Sequence, residues 1–99
     1  MLESFDVGTF TPRLGETFRI QTSDSKWEEL TLIEATALGE GVLTEERRTP
    51  FSIVFRGSRN SMLPQRTYRV EHAEIGEFDL FLVPIGPDHD GMLYEAVFG

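Results

Sequence analysis

The sequence predicts an all-β domain, a small antiparallel barrel or sandwich of about six strands with one short N-terminal helical turn. Three observations carry this. Apolar residues recur mostly at every second position, the spacing of a strand with one buried face. Glycine and proline fall singly, at intervals that suit short hairpins. In 99 residues there is no room for the helices that parallel strands need between them, so the strands should run antiparallel.

Taken in order, Phe10–Leu14 fits one helical turn, with Thr9 or Thr11 as cap and Gly15 as stop. Thr17–Gln21 and Glu28–Ala37 read as a hairpin around Thr22-Ser23-Asp24-Ser25-Lys26. In its second strand Leu30, Leu32 and Leu38 share one parity, while Ile33, Ala35 and Ala37 share the other. That predicts a bulge, or burial on both faces. Phe51, Ile53 and Phe55 make one face of the next strand, and Tyr68 and Val70 one face of the strand near 67–72. Ile75-Gly76 closes a tight turn into the strand 77–85, where Phe78, Leu80 and Leu82 alternate with Glu77, Asp79, Phe81 and Val83. The far end of that strand is therefore apolar on both sides. Gly86-Pro87-Asp88-His89-Asp90-Gly91 reads as a longer hairpin loop into a last strand with Met92, Tyr94, Ala96 and Phe98 on one face. Pro50, Pro64 and Pro84 are expected at strand ends or edges, where a missing N–H is tolerated. The core should come mainly from Phe51, Ile53, Phe55, Tyr68, Val70, Phe78, Leu80, Leu82, Tyr94 and Phe98.

Composition bounds the function. The chain fits one domain, residues 1–99. Eight Phe, two Tyr and one Trp supply enough buried area to fold despite a net charge of −8. With no cysteine there is no disulfide, thiolate metal site or cysteine nucleophile. The first residues have neither the basic nor the apolar segment of a signal peptide, and no stretch is long and apolar enough to span a membrane. A cytoplasmic protein that avoids membranes is expected.

Charge is distributed in blocks. Residues 1–46 carry a net −7, residues 47–69 hold six arginines and no acid, and residues 70–99 hold seven acids and no base. The arginines are Arg47, Arg48, Arg56, Arg59, Arg66 and Arg69. Eight of the nine basic residues are Arg, the residue that suits bidentate interface contacts, whereas a merely solubilising surface favours Lys. Two readings follow. The block pairs with acidic strands of its own chain, or it forms a basic rim, the candidate interface, that draws in a protein partner or another copy. Nucleic acid is not an expected partner, because the overall charge repels phosphate and the block lacks interleaved aromatics for base stacking.

No motif rises to an active site. Asp88-His89-Asp90-Gly91 has the opening spacing of a Ca²⁺ loop but lacks the later ligands. Asp and Gly there also suit a hairpin loop, through local hydrogen bonds and positive φ, so no metal is expected. His72 and His89 are the only histidines, and Gly57-Ser58-Arg59-Asn60-Ser61 lacks a nucleophile elbow. Glu77 and Asp79 fall on one strand face at a separation not absurd for a glycosidase pair, but a half-exposed strand shows alternating acids anyway. No cofactor motif is present.

The segments Pro50–Gly57, Leu63–His72, Leu80–Pro87 and Met92–Phe98, with Phe10–Phe18 before them, resemble an uncharacterised family of bacterial domains of about 100 residues, a domain of unknown function. The likeness is weakest around residues 22–46. It implies no activity and no catalytic residues, and it places the chain in the company of phage-tail-like, collar-type proteins. The sequence is therefore expected to encode a non-catalytic interaction or structural module of a larger assembly. The alternative is a small ligand-binding barrel or carboxylate-dependent enzyme, marked by a pocket of several hundred Å³ lined with convergent polar groups.

Overall fold

The computed structural model describes residues 5–38 and 50–99. Six strands form a closed antiparallel barrel: Thr17–Ser23 (β1), Lys26–Ala37 (β2), Phe51–Gly57 (β3), Arg66–His72 (β4), Gly76–Pro87 (β5) and Met92–Phe98 (β6). Their order around the barrel is β1-β2-β3-β6-β5-β4. Of the two architectures expected from the sequence, the barrel is the one formed, because β1 pairs with β4 as well as with β2. That closing seam is the shortest, with two register pairs, Arg19 opposite Glu71 and Ile20 opposite Val70; β4 and β5 share seven. Among the described strands, closure leaves no long free edge for unwanted pairing.

Three bulges give the strands the extra twist a small barrel needs. They fall at Thr22, Ile33 and Ile85, where the register shifts by one residue. The bulge at Ile33 resolves the mixed parity of β2. Leu30 and Leu32 face inward before it, and Ala35 packs against the core after it. Pro84 departs from expectation. It lies well inside β5, paired opposite Tyr94, because the adjacent bulge accommodates a residue without an N–H.

The helical turn also begins earlier than the sequence suggested. Helix α1 spans Val7–Phe10, followed by a 3-10 turn over Thr11–Arg13. Its cap is Asp6, neither Thr9 nor Thr11: Asp6 Oδ1 accepts the Thr9 N–H at 3.1 Å, and Thr9 Oγ1 accepts the Asp6 N–H at 3.1 Å. A carboxylate is a strong acceptor for the orphan amides of a first turn. The earlier start turns Phe10 down into the barrel, where its ring lies within 6.4 Å of Phe18, Phe51, Phe78 and Phe98.

All ten residues expected in the core are buried, and Phe5, Phe10, Phe18, Ile20, Leu30, Leu32, Leu63, Met92 and Ala96 join them. Phe51 stacks on Phe98 with ring centres 4.3 Å apart. One end of the barrel is thus stoppered by α1. At the other, residues 58–65 cross from β3 to β4 and bury Leu63. The Tyr94 hydroxyl accepts the Leu63 N–H at 2.9 Å and donates to the Ser61 carbonyl at 3.1 Å. The Tyr68 hydroxyl donates to the Pro64 carbonyl. Burial pushes both phenols above their ordinary pKa. The barrel interior is filled by side chains.

Candidate functional site

The structure distributes the described arginines of the basic block over two regions; Arg47 and Arg48 lie outside the described residues. Arg56 and Arg59 both reach the 88–91 loop at the end closed by residues 58–65. Arg56 grips Asp88 through Nη2 to Oδ2 at 2.6 Å and Nε to both carboxylate oxygens. Arg59 Nη1 donates to the His89 carbonyl at 2.8 Å. Arg66, at the same end, lies over the Tyr68 ring at 4.9 Å and donates to the Thr22 carbonyl. Arg69 instead sits on the outer wall, between Glu77 and Asp79. Pairing within the chain therefore accounts for Arg56 and Arg69, as it does for Arg13 with Glu74 and Arg19 with Glu71. Among the described arginines, Arg59 and Arg66 alone meet carbonyls and no carboxylate.

The Asp88 loop is held by its own chain. Besides binding Arg56, Asp88 Oδ1 accepts the N–H groups of Asp90 and Gly91, each at 2.9 Å. The Arg56 hydrogen bond, followed by that from the Asp90 amide, holds the Asp88 carboxyl down to a pKa of about 2. The positive φ expected at this loop is found at Gly86, not Gly91. Gly91 is needed for a different reason: a Cβ there would stand 2.1 Å from the Gly57 carbonyl oxygen.

His72 is buried. Its Nε2 lies 2.8 Å from Glu16 Oε1, its Nδ1 accepts the amides of Glu74 and Ile75, and its ring packs on Phe18 at 4.4 Å. Those amide bonds fix the tautomer with the proton on Nε2. Both ring nitrogens are thereby used, leaving none to activate a hydroxyl. Glu77 and Asp79 share a face as expected, and both are turned to Arg69.

Two surface features exceed what the sequence suggested. The first is a groove of about 520 Å³ over the β1–β4 seam, lined by Thr17, Arg19, Glu29, Glu71, Ala73, Gly76 and neighbours. It lies on the outside of the barrel and has the volume set as the mark of a ligand-binding barrel. Its polar groups, however, are mostly paired with one another or with neighbours, Arg19 with Glu71, Glu77 with Arg69 and His72 with Glu16, and do not converge on a common point. No spacing in the sequence foretells register between β1 and β4. The second is an apolar outer wall on β5 and β6. Phe81, Ile85 and Val97 are 49%, 48% and 62% exposed; on neighbouring β3 Val54, opposite Glu34 and Glu95, is buried and adds nothing to the exposed area. Its trace in the sequence was the loss of alternation at Leu80-Phe81-Leu82-Val83. Among the described residues no group of three or more His, Cys, Asp or Glu stands placed for a metal ion, and no helix is long and apolar enough to cross a membrane.

These features define a small closed β-barrel whose interior is filled by side chains. The chain belongs to a family described as a domain of unknown function, DUF6916, whose model matches residues 5–98. No curated protein and no solved structure matches it.

Proposed function

We propose that this domain is a non-catalytic protein–protein interaction module that assembles with copies of itself into a larger structure. The observation that supports this reading is the exposed apolar wall of Phe81, Ile85 and Val97 on a barrel whose interior is already full. Outward apolar side chains grouped on one face gain by covering each other against water, and such patches mark interaction surfaces. The loop end of the barrel offers a complement. Met62, 70% exposed, belongs to the 58–65 crossing there, between Arg59 and Arg66 in sequence, whose guanidinium groups have spare donors. Glu95 on the wall, and Glu34 on β2 across Val54 from it, have no cationic partner among the described residues. Loop end against wall matches apolar to apolar and arginine to carboxylate. Because the two surfaces differ, the contact is head to side and builds a ring or an open filament.

Light-scattering mass as a function of concentration tests this. The wild-type chain should associate, and Phe81→Asp with Val97→Asp should abolish association while the melting temperature stays near that of the wild type. Arg59→Glu with Arg66→Glu should do the same. A wild-type chain that stays monomeric to millimolar concentration would overturn the reading.

A further inference from the structure

The groove over the β1–β4 seam suggests a second contact, with a different kind of partner. Three observations converge on it. The ladder between β1 and β4 ends at Arg19 opposite Glu71, so Thr17 and Phe18 are paired with β2 but have no register partner on β4. An edge of this sort is where an extended segment adds main-chain hydrogen bonds to a sheet. The groove exists because Thr17, Ala73 and Gly76 are small while the flanking Glu29, Arg19, Glu71 and Glu77 are long. The third observation is charge. Across the outer face, Glu29 stands opposite Arg19, Arg19 opposite Glu71, and Glu71 opposite Glu77. Arg19 pairs with Glu71 and Arg69 with Glu77, and neither arginine bridges the two facing carboxylates, which leaves like charges side by side. Glu29 has no hydrogen-bond or ion-pair partner among the described residues.

We propose that this groove docks an extended, lysine- or arginine-bearing segment of a partner protein. The segment lies along the open end of the seam, its backbone against β1 and one cationic side chain between Glu71 and Glu77. The net charge of −8 steers such a segment toward the barrel and repels acidic competitors. This contact is independent of the self-association proposed above, which uses the β5–β6 wall and the opposite end of the barrel.

The test uses the full chain labelled with ¹⁵N and titrated with a peptide of alternating Lys and Thr, a matching peptide of alternating Glu and Thr, and spermidine. The Lys-Thr peptide should shift the amides of Thr17, Arg19, Ala73 and Glu77, and the Glu-Thr peptide should shift none. Glu29→Gln and Glu77→Gln should each weaken binding about two- to fivefold, the range of an exposed ion pair. Ala73 lies exposed in a turn, so Ala73→Gln fills the groove without touching a carboxylate and should remove the shifts. Its light-scattering mass should match the wild type, which separates this site from self-association. No shift with the Lys-Thr peptide overturns the proposal. So do equal shifts with spermidine, which would reduce the effect to charge, and unchanged binding by Ala73→Gln.

Discussion

Arg56 on β3 and Asp88 in the β5–β6 loop form a forked ion pair, Nη2 to Oδ2 at 2.6 Å and Nε to the carboxylate at 3.2–3.3 Å. In the sequence the two residues suggest different things, an interface arginine and the first ligand of a cation loop. In space each accounts for the other. The arginine fixes a loop whose amides the same carboxylate accepts, and the geometry is the bidentate kind that carries orientation as well as charge.

This pair has an acid dependence. In the folded chain Asp88 has its carboxyl held at about 2, below its ordinary 3.8. The ionised form is thus favoured in the folded state, and the stabilisation is fully present above about pH 4. It is lost as pH falls from there through 2, where the folded carboxyl takes up its proton. Denaturant midpoints of the wild type and Asp88→Asn should therefore differ at pH 6 and converge toward pH 2. A difference that stays constant over that range would show that the pair does not act through ionisation.

The core divides into a half that was legible and a half that was not. Truncating Phe55 to Ala should cost roughly 3–5 kcal/mol, as its strand alternation already implied. Phe10→Ala should cost as much, although nothing in the spacing around Phe10 marks a buried ring. Its burial follows from α1 lying across the barrel end, and only the closed sheet creates that end. Chemical denaturation of the two variants compares them directly. A Phe10 variant within about 1 kcal/mol of the wild type would mean that α1 lies against the barrel without sealing it.

Local patterns showed what local physics determines: strand parity, the β2 bulge, and the turns at Ile75-Gly76 and Gly86–Gly91. They did not show contacts set by register between distant strands. Arg19 meets Glu71 because β1 and β4 close the barrel at that pair, 52 residues apart in sequence. The same closure brings Thr17 and Ala73 to one groove. The apolar wall was half legible, since Phe81 broke alternation, whereas Val97 reads as an ordinary outward position until β6 is seen beside β5.

Gly91 is a second residue whose importance register creates. A methyl group at this position would meet the Gly57 carbonyl at 2.1 Å and Arg56 Cγ at 2.9 Å. The first of these is backbone and cannot swing aside. Gly91→Ala should push β6 away from the end of β3, costing at least the 1–3 kcal/mol typical of overpacking and raising amide exchange at Gly57 and Met92. Gly8→Ala, where the nearest atom is the Asp6 carboxylate at 3.2 Å, is the control and should change stability far less. Equal effects of the two substitutions would remove the steric argument.

His72 carries the last prediction. Its ring joins four parts of the fold: Glu16 before β1, Phe18 on β1, the end of β4, and the β4–β5 turn through the amides of Glu74 and Ile75. Replacing it by Phe keeps an aromatic ring against Phe18 but removes every hydrogen bond. Two turn amides then lose their acceptor and Glu16 loses its donor. At about 1 kcal/mol for each ordinary bond, the variant should lose roughly 2–3 kcal/mol. The amides of Glu74 and Ile75 should also exchange faster than any others in the turn. His89→Phe, in an exposed loop, should leave stability nearly unchanged, because the contact of that residue with Arg59 runs through its backbone carbonyl. A His72→Phe chain as stable as the wild type, with slow exchange at both amides, would show that ring packing alone holds the turn.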